Sequence, residues 1–105
     1  MLLAKVVGTV VSTQKDPKLT GLKLLLCQQL TLEMKPGSSF VVSVDAVGAG
    51  IGEVVVCAAG SSARLTELTQ GLPVDSVVMA IVDSMDVHGE IVYQKHPESE
   101  PAVSS

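Results

Sequence analysis

The sequence predicts an all-β fold, a small five-stranded OB-like (Greek-key) barrel with one short helix. Three observations predict it. The chain holds 18 Val, 3 Ile and 6 Thr in 105 residues, clustered in short runs where branched side chains suit a pleated surface better than a helix. Turn-forming Gly, Pro, Asp and Ser punctuate those runs at regular spacing. Five main runs are enough to close a small barrel, which removes exposed sheet edges.

The first strand is expected over Ala4 to Val11 and the second over Leu22 to Leu30, with Asp16-Pro17 and Thr20-Gly21 punctuating the connection. Lys35-Pro36-Gly37-Ser38-Ser39 reads as the next turn, so the third strand is placed at Phe40 to Val44. Glu53 to Ala58 forms the fourth. Ser61 or Ser62 can cap a helix running from Ser62 to Gln70, with Leu65 and Leu68 on one face and Gly71 and Pro73 ending it. The fifth strand is expected over Val77 to Val87, and Ile91 to Gln94 pairs back across His88-Gly89-Glu90. A single domain over 1–95 is predicted, followed by a tail, HPESEPAVSS at 96–105, too polar and proline-rich to order itself.

Composition excludes several functions. The longest apolar runs, Val54 to Ala59 and Val77 to Val82, are six residues each, against roughly twenty for a membrane span. Met1 to Ala4 lead straight into Lys5 without the basic, apolar and cleavage regions of a signal peptide, so the expected compartment is the cytosol. Seven Lys and Arg against eleven Asp and Glu give a net charge of -4, and Phe40 and Tyr93 are the only rings. Nucleic-acid binding, which needs phosphate neutralisation and stacking platforms, gains no support. Only 17% of residues are charged and the mean hydropathy is +0.46, so the surface is rich in apolar groups, as in a part of an assembly.

The motifs carry no catalytic constellation. Val47-Gly48-Ala49-Gly50-Ile51-Gly52-Glu53 begins as a dinucleotide fingerprint, but Glu53 stands where its third glycine belongs, and a strand follows where a helix is needed. It reads as a strand-to-strand loop. Gly60-Ser61-Ser62-Ala63-Arg64 half-matches a nucleophile elbow but ends in Arg64 instead of glycine. His88 and His96 lack metal-ligand spacing, Asp83 and Asp86 fall on opposite faces of a strand, and no cofactor is expected. Cys27 and Cys57 read as buried small hydrophobes, too far apart in sequence for a redox pair or a metal knuckle.

Lys5-Val6-Val7-Gly8-Thr9-Val10-Val11-Ser12-Thr13-Gln14-Lys15, Leu19-Thr20-Gly21-Leu22-Lys23-Leu24-Leu25-Leu26, Asp45 to Glu53, Gly60 to Arg64, Pro73-Val74-Asp75 and Ile81-Val82-Asp83 form an ordered series. This series resembles the EutN/CcmL family of bacterial microcompartment vertex proteins. The resemblance implies a homopentamer that caps the vertices of a cytoplasmic polyhedral shell, beside hexameric and pseudohexameric shell proteins, with no catalysis, nucleic acid or membrane involved. A ring of heterologous contacts closes at one rotation angle only, which suits a vertex. By the same resemblance Gly48, Ala49 and Gly50 line a pore on the fivefold axis, and Ser12, Thr13, Lys15, Ser61, Ser62 and Arg64 make subunit contacts. The alternatives are an OB-fold module, monomeric or dimeric, that binds a small anionic ligand or an oligonucleotide, and a small enzyme or regulatory subunit with a site between protomers.

Overall fold

The computed structural model describes residues 1–12, 17–19, 21–60 and 75–95. Among the described residues run seven strands: β1 (Leu2–Val10), β2 (Leu24–Leu30), β3 (Pro36–Asp45), β4 (Val54–Ala59), β5 (Ser76–Ile81), β6 (Ser84–Val87) and β7 (Glu90–Gln94). The first five close in the order β1-β2-β3-β5-β4, with β1 pairing β4 to seal the barrel. The β3–β5 joint is parallel and short, only Val44 with Val77 and Asp45 with Val78, whereas the other joints are antiparallel. This is the predicted Greek-key barrel. The predicted helix at Ser62 to Gln70 and the tail from His96 lie outside the described residues; among the described residues a 3-10 turn forms at Pro17–Leu19.

Two strands differ from the sequence reading by more than two residues, the others shifting by one or two at their ends. The third strand starts at Pro36, not Phe40, because the β2–β3 turn is Thr31 to Lys35: Thr31 N–H bonds Lys35 O, and the Thr31 hydroxyl accepts from the Glu33 and Lys35 amides. Pro36 is tolerated at a strand's first residue. Gly37 is a strand glycine of close approach, since a Cβ there would lie 2.9 Å from the Gln29 carbonyl oxygen. The expected fifth strand, Val77 to Val87, is broken at Val82-Asp83 into β5, which stays in the barrel, and β6, which leaves it to pair with β7.

A narrow barrel must be filled by small and medium side chains. Ala4, Val6, Leu25, Cys27, Ala49, Val55, Cys57 and Val78 form one fully buried cluster. Val44, Ala58 and Val77 form a second, with Leu19, Leu22 and Leu24 packed over it. Register shifts at Val6/Gly8, Gln28/Leu30 and Val56/Cys57 mark bulges, the device by which strands coil into a small barrel. Ser43 and Ser76 are buried polar residues, and they satisfy each other at 2.6 Å across the parallel joint.

Cys27 and Cys57 are both free and buried, as expected, yet they are not far apart in space. They sit on β2 and β4, the two strands that flank β1, and share a hydrogen bond. That bond, then burial, pushes the Cys27 thiol well above its usual range, while the same bond acts in the opposite sense on Cys57. Ser43 adds a hydroxyl donor to Cys57 Sγ at 3.8 Å. Sequence separation alone concealed a contact that barrel closure creates.

Candidate functional site

The glycine-rich loop runs from the end of β3 to the start of β4 and is held by two carboxylates, one at each end. Asp45 Oδ1 accepts from the amides of Val47, Gly48 and Ala49 at 3.0, 2.9 and 3.2 Å. A short acidic side chain followed by glycine makes this wrap possible, because Gly48 takes φ +79° without the clash a Cβ would bring. Asp45 Oδ2 lies 4.0 Å from Lys23 Nζ, and the Asp45 side chain is only 3% exposed. Lys23 Nζ also donates to the Ala49 carbonyl at 3.4 Å.

At the other end Glu53 Oε1 accepts the Gly50 amide at 2.6 Å, and Glu53 Oε2 pairs with Lys95 Nζ at 2.7 Å. These contacts hold the Glu53 carboxyl below its ordinary 4.5, Lys95 first and the Gly50 amide second, and hold Lys95 above its ordinary 10.5. The backbone completes the fixation. Ala46 N–H bonds Val78 O, Glu53 N–H bonds Gly50 O, and Gly52 N–H and Val6 N–H exchange bonds with Val6 O and Glu53 O. The amides of Ala46 to Gly50, Gly52 and Glu53 are thus already spent on the chain's own acceptors.

The three residues expected at a pore rim are not equivalent. Gly48 is exposed and Gly50 half-buried, but the Ala49 side chain is 0% exposed and belongs to the barrel core. Ala49 is therefore the anchor that pins the loop to the barrel, with its flanking glycines facing outward. Val47 and Ile51 add exposed apolar side chains to the same loop. Of the expected subunit-contact residues, Ser12 is exposed just beyond β1, while Thr13, Lys15, Ser61, Ser62 and Arg64 lie outside the described residues. Asp45 and Glu53 were not singled out from the sequence. The signal was available in Asp45 three residues before Gly48, the spacing of a side-chain-capped turn.

Among the described residues no group of three or more His, Cys, Asp or Glu side chains could hold a metal ion, and no helix is long and apolar enough to cross a membrane. A cavity of about 390 Å³ among the described residues is an open groove lined by Met1, Leu2, Leu3, Gln29, Leu30, Leu32 and Val56, without a titratable side chain. The geometry describes a rigid scaffold with a fixed loop.

Comparison with known proteins agrees. The family described as ethanolamine utilisation protein EutN/carboxysome matches residues 1–83. The chain is 45% identical over 98 residues to the carboxysome shell vertex protein CcmL of a Synechocystis species, covering 93% of this chain and 98% of that one. The solved structure of CcmL from a Nostoc species superposes with a TM-score of 0.87 at 46% identity, covering 90% of this chain and all of that one (100%). The structure titled as a pentameric microcompartment shell protein, GrpN from Rhodospirillum rubrum, does so with a TM-score of 0.76 at 46% identity over 83% of this chain and 99% of that one. The family match over residues 1–83 and these relatives, covered along nearly all of their length, show that the chain belongs to the EutN/CcmL family.

Proposed function

We propose that five copies of this chain close into a ring that caps a vertex of a microcompartment shell, as a structural part without catalysis. The observation that carries the reading is the likeness, over almost the whole length of both partners, to proteins named for shell vertices and to one named as pentameric. The surroundings of the ring would be the flat hexameric and pseudohexameric tiles of the shell, to which a five-membered ring adds curvature. In this reading the Gly48–Gly50 loop lies at the axis, with Gly48 and Gly50 presented to the opening and Ala49 holding them from behind. An apolar-rich surface and a loop rigid enough to keep one shape in five copies support it.

Light scattering on the purified chain tests the ring: five chains of 10.9 kDa are expected at micromolar concentration. One or two chains would overturn it and favour the ligand-binding module. Gly50→Val tests the axial placement, because in the protomer a Cβ at Gly50 meets only Glu53 Oε1 at an ordinary 3.6 Å and the backbone is not left-handed. The isolated subunit has room for a Cβ there. Five added side chains around one axis would not be tolerated, so weakened assembly with an intact barrel supports the placement, and wild-type assembly overturns it.

A further inference from the structure

We propose that the axial opening of the ring is a cation site, in which the Gly48 carbonyl oxygens, one from each subunit, take a partly dehydrated alkali cation and turn small anions away. The proposal rests on the axial placement of the Gly48–Gly50 loop argued above and deepens it by naming what the opening accepts. Such a site is the reverse of a phosphate loop, where successive amides point outward and hold an anion.

The orientation follows from the peptide group. Each group is planar and trans, so a carbonyl oxygen points away from the N–H of the next residue. The Gly48 and Ala49 amides both turn inward to Asp45 Oδ1, at 2.9 and 3.2 Å, and the Asp45 side chain is only 3% exposed. The carbonyls of Val47 and Gly48 therefore point away from that buried carboxylate, on residues that are themselves exposed. The Gly52 amide turns in to Val6 O, so the Ile51 carbonyl likewise faces out. Among the described residues no donor reaches any of these three oxygens. Of the amides from Ala46 to Glu53, that of Ile51 alone is left over, opposite a Gly50 carbonyl that is turned back to the Glu53 N–H. Three outward oxygens thus stand against one outward N–H in each subunit.

The charged groups around the loop offset one another. Lys23 Nζ lies 4.0 Å from Asp45 Oδ2 and donates to the Ala49 carbonyl at 3.4 Å, and Lys95 pairs with Glu53 at 2.7 Å. With each ammonium beside a carboxylate, the carbonyl dipoles set the sign of the opening. Gly48 has no side chain to cover its oxygen, and the exposed side chains of Val47 and Ile51 beside it are apolar and bring no donor. In a lone protomer such an oxygen is satisfied by water. Five of them round one axis crowd out part of that water, and carbonyl oxygens gathered in a ring replace the hydration shell of an alkali cation. The site is therefore incomplete without the partner copies.

Crystals of the full chain soaked in rubidium bromide test it, because anomalous scattering at their separate absorption edges tells the two ions apart. Rubidium is expected on the fivefold axis in contact with the Gly48 carbonyls, with no bromide there. Bromide on the axis, drawn by Lys23 or the Ile51 amide, or an axis holding neither ion, would overturn the proposal and leave the placement of the loop standing. A different loop at the axis, or no ring of five, is visible in the same maps and would overturn the placement and the proposal together. A solution measurement detects binding at crystal concentration only. Gly48-Ala49 is the one Gly-Ala pair in the chain, so isotope labels on glycine carbonyl carbons and alanine nitrogens isolate a single signal from the Gly48 carbonyl. Titration of the assembled chain with potassium chloride should shift that signal along a saturating curve. Tetramethylammonium chloride at the same ionic strength, a cation too bulky to be ringed by these oxygens, should leave it in place. Equal shifts with both salts, or a shift that never saturates, would overturn the proposal.

Discussion

The barrel and the hairpin are built from the same kinds of residue and the same antiparallel pairing, yet one supports itself and the other does not. In β4 four of six residues are buried, and the interior is filled by side chains from every barrel strand. In β6 and β7 none is buried. The hairpin forms because His88 and Gly89 both take positive φ, +54° and +83°, which is the two-residue turn matched to strand twist. Local geometry is therefore enough to shape a strand pair, while stability comes from what covers it.

Substitutions can break or sharpen that contrast. The largest effect is expected at Ala49, where Ala49→Asp puts a charge at a fully buried site and should cost several kcal/mol, enough to unfold the protomer in a urea titration. An aspartate at Ile91 on the hairpin should leave protomer stability within about 0.5 kcal/mol. Gly37→Ala, with its Cβ 2.9 Å from a backbone oxygen that cannot swing aside, should cost about 1–3 kcal/mol by the same titration. Gly89→Ala is also strained, by its backbone at φ +83°, but the damage should stay within the hairpin, visible as lost amide protection there and not in the barrel.

A pH titration probes the joint between the two regions. Glu53 is held below 4.5, so its support for the joint is complete above that value and is lost as pH falls through the lowered one. Lys95 is held above 10.5, so its support is complete below that value and is lost as pH rises through the raised one. The Gly50 amide shift, followed by NMR, should be flat between those limits, and Glu53→Gln should remove its acid limb. The smallest expected change is a gain. His88→Asn, better suited to positive φ, should raise hairpin protection by a few tenths of a kcal/mol in hydrogen exchange.

Most of the barrel was legible because its strands announce themselves by β-branched runs ended by turn residues. Where the reading slipped, a local signal was overruled by a long-range one. Pro36 and Gly37 look like a turn, but the capped Thr31 turn and the close approach to Gln29 draw them into β3. Val77 to Val87 looks continuous, but Val82 bonds Val54 and ends the barrel portion. At the site, the loop was legible from its glycines while the roles within it were not. An alanine between two glycines gives no sign of burial, and the pairing of Cys27 with Cys57 depends on β1 lying between β2 and β4.

Glu53 holds the loop with one oxygen and the hairpin base with the other. In mechanical terms it is a rivet through two plates. Part of a pull on the hairpin reaches the Gly50 backbone through this polar contact, and the rest passes along the chain into β5 and through the Val82 amide to Val54. The strength of that joint depends on the charge states of two side chains, Glu53 and Lys95.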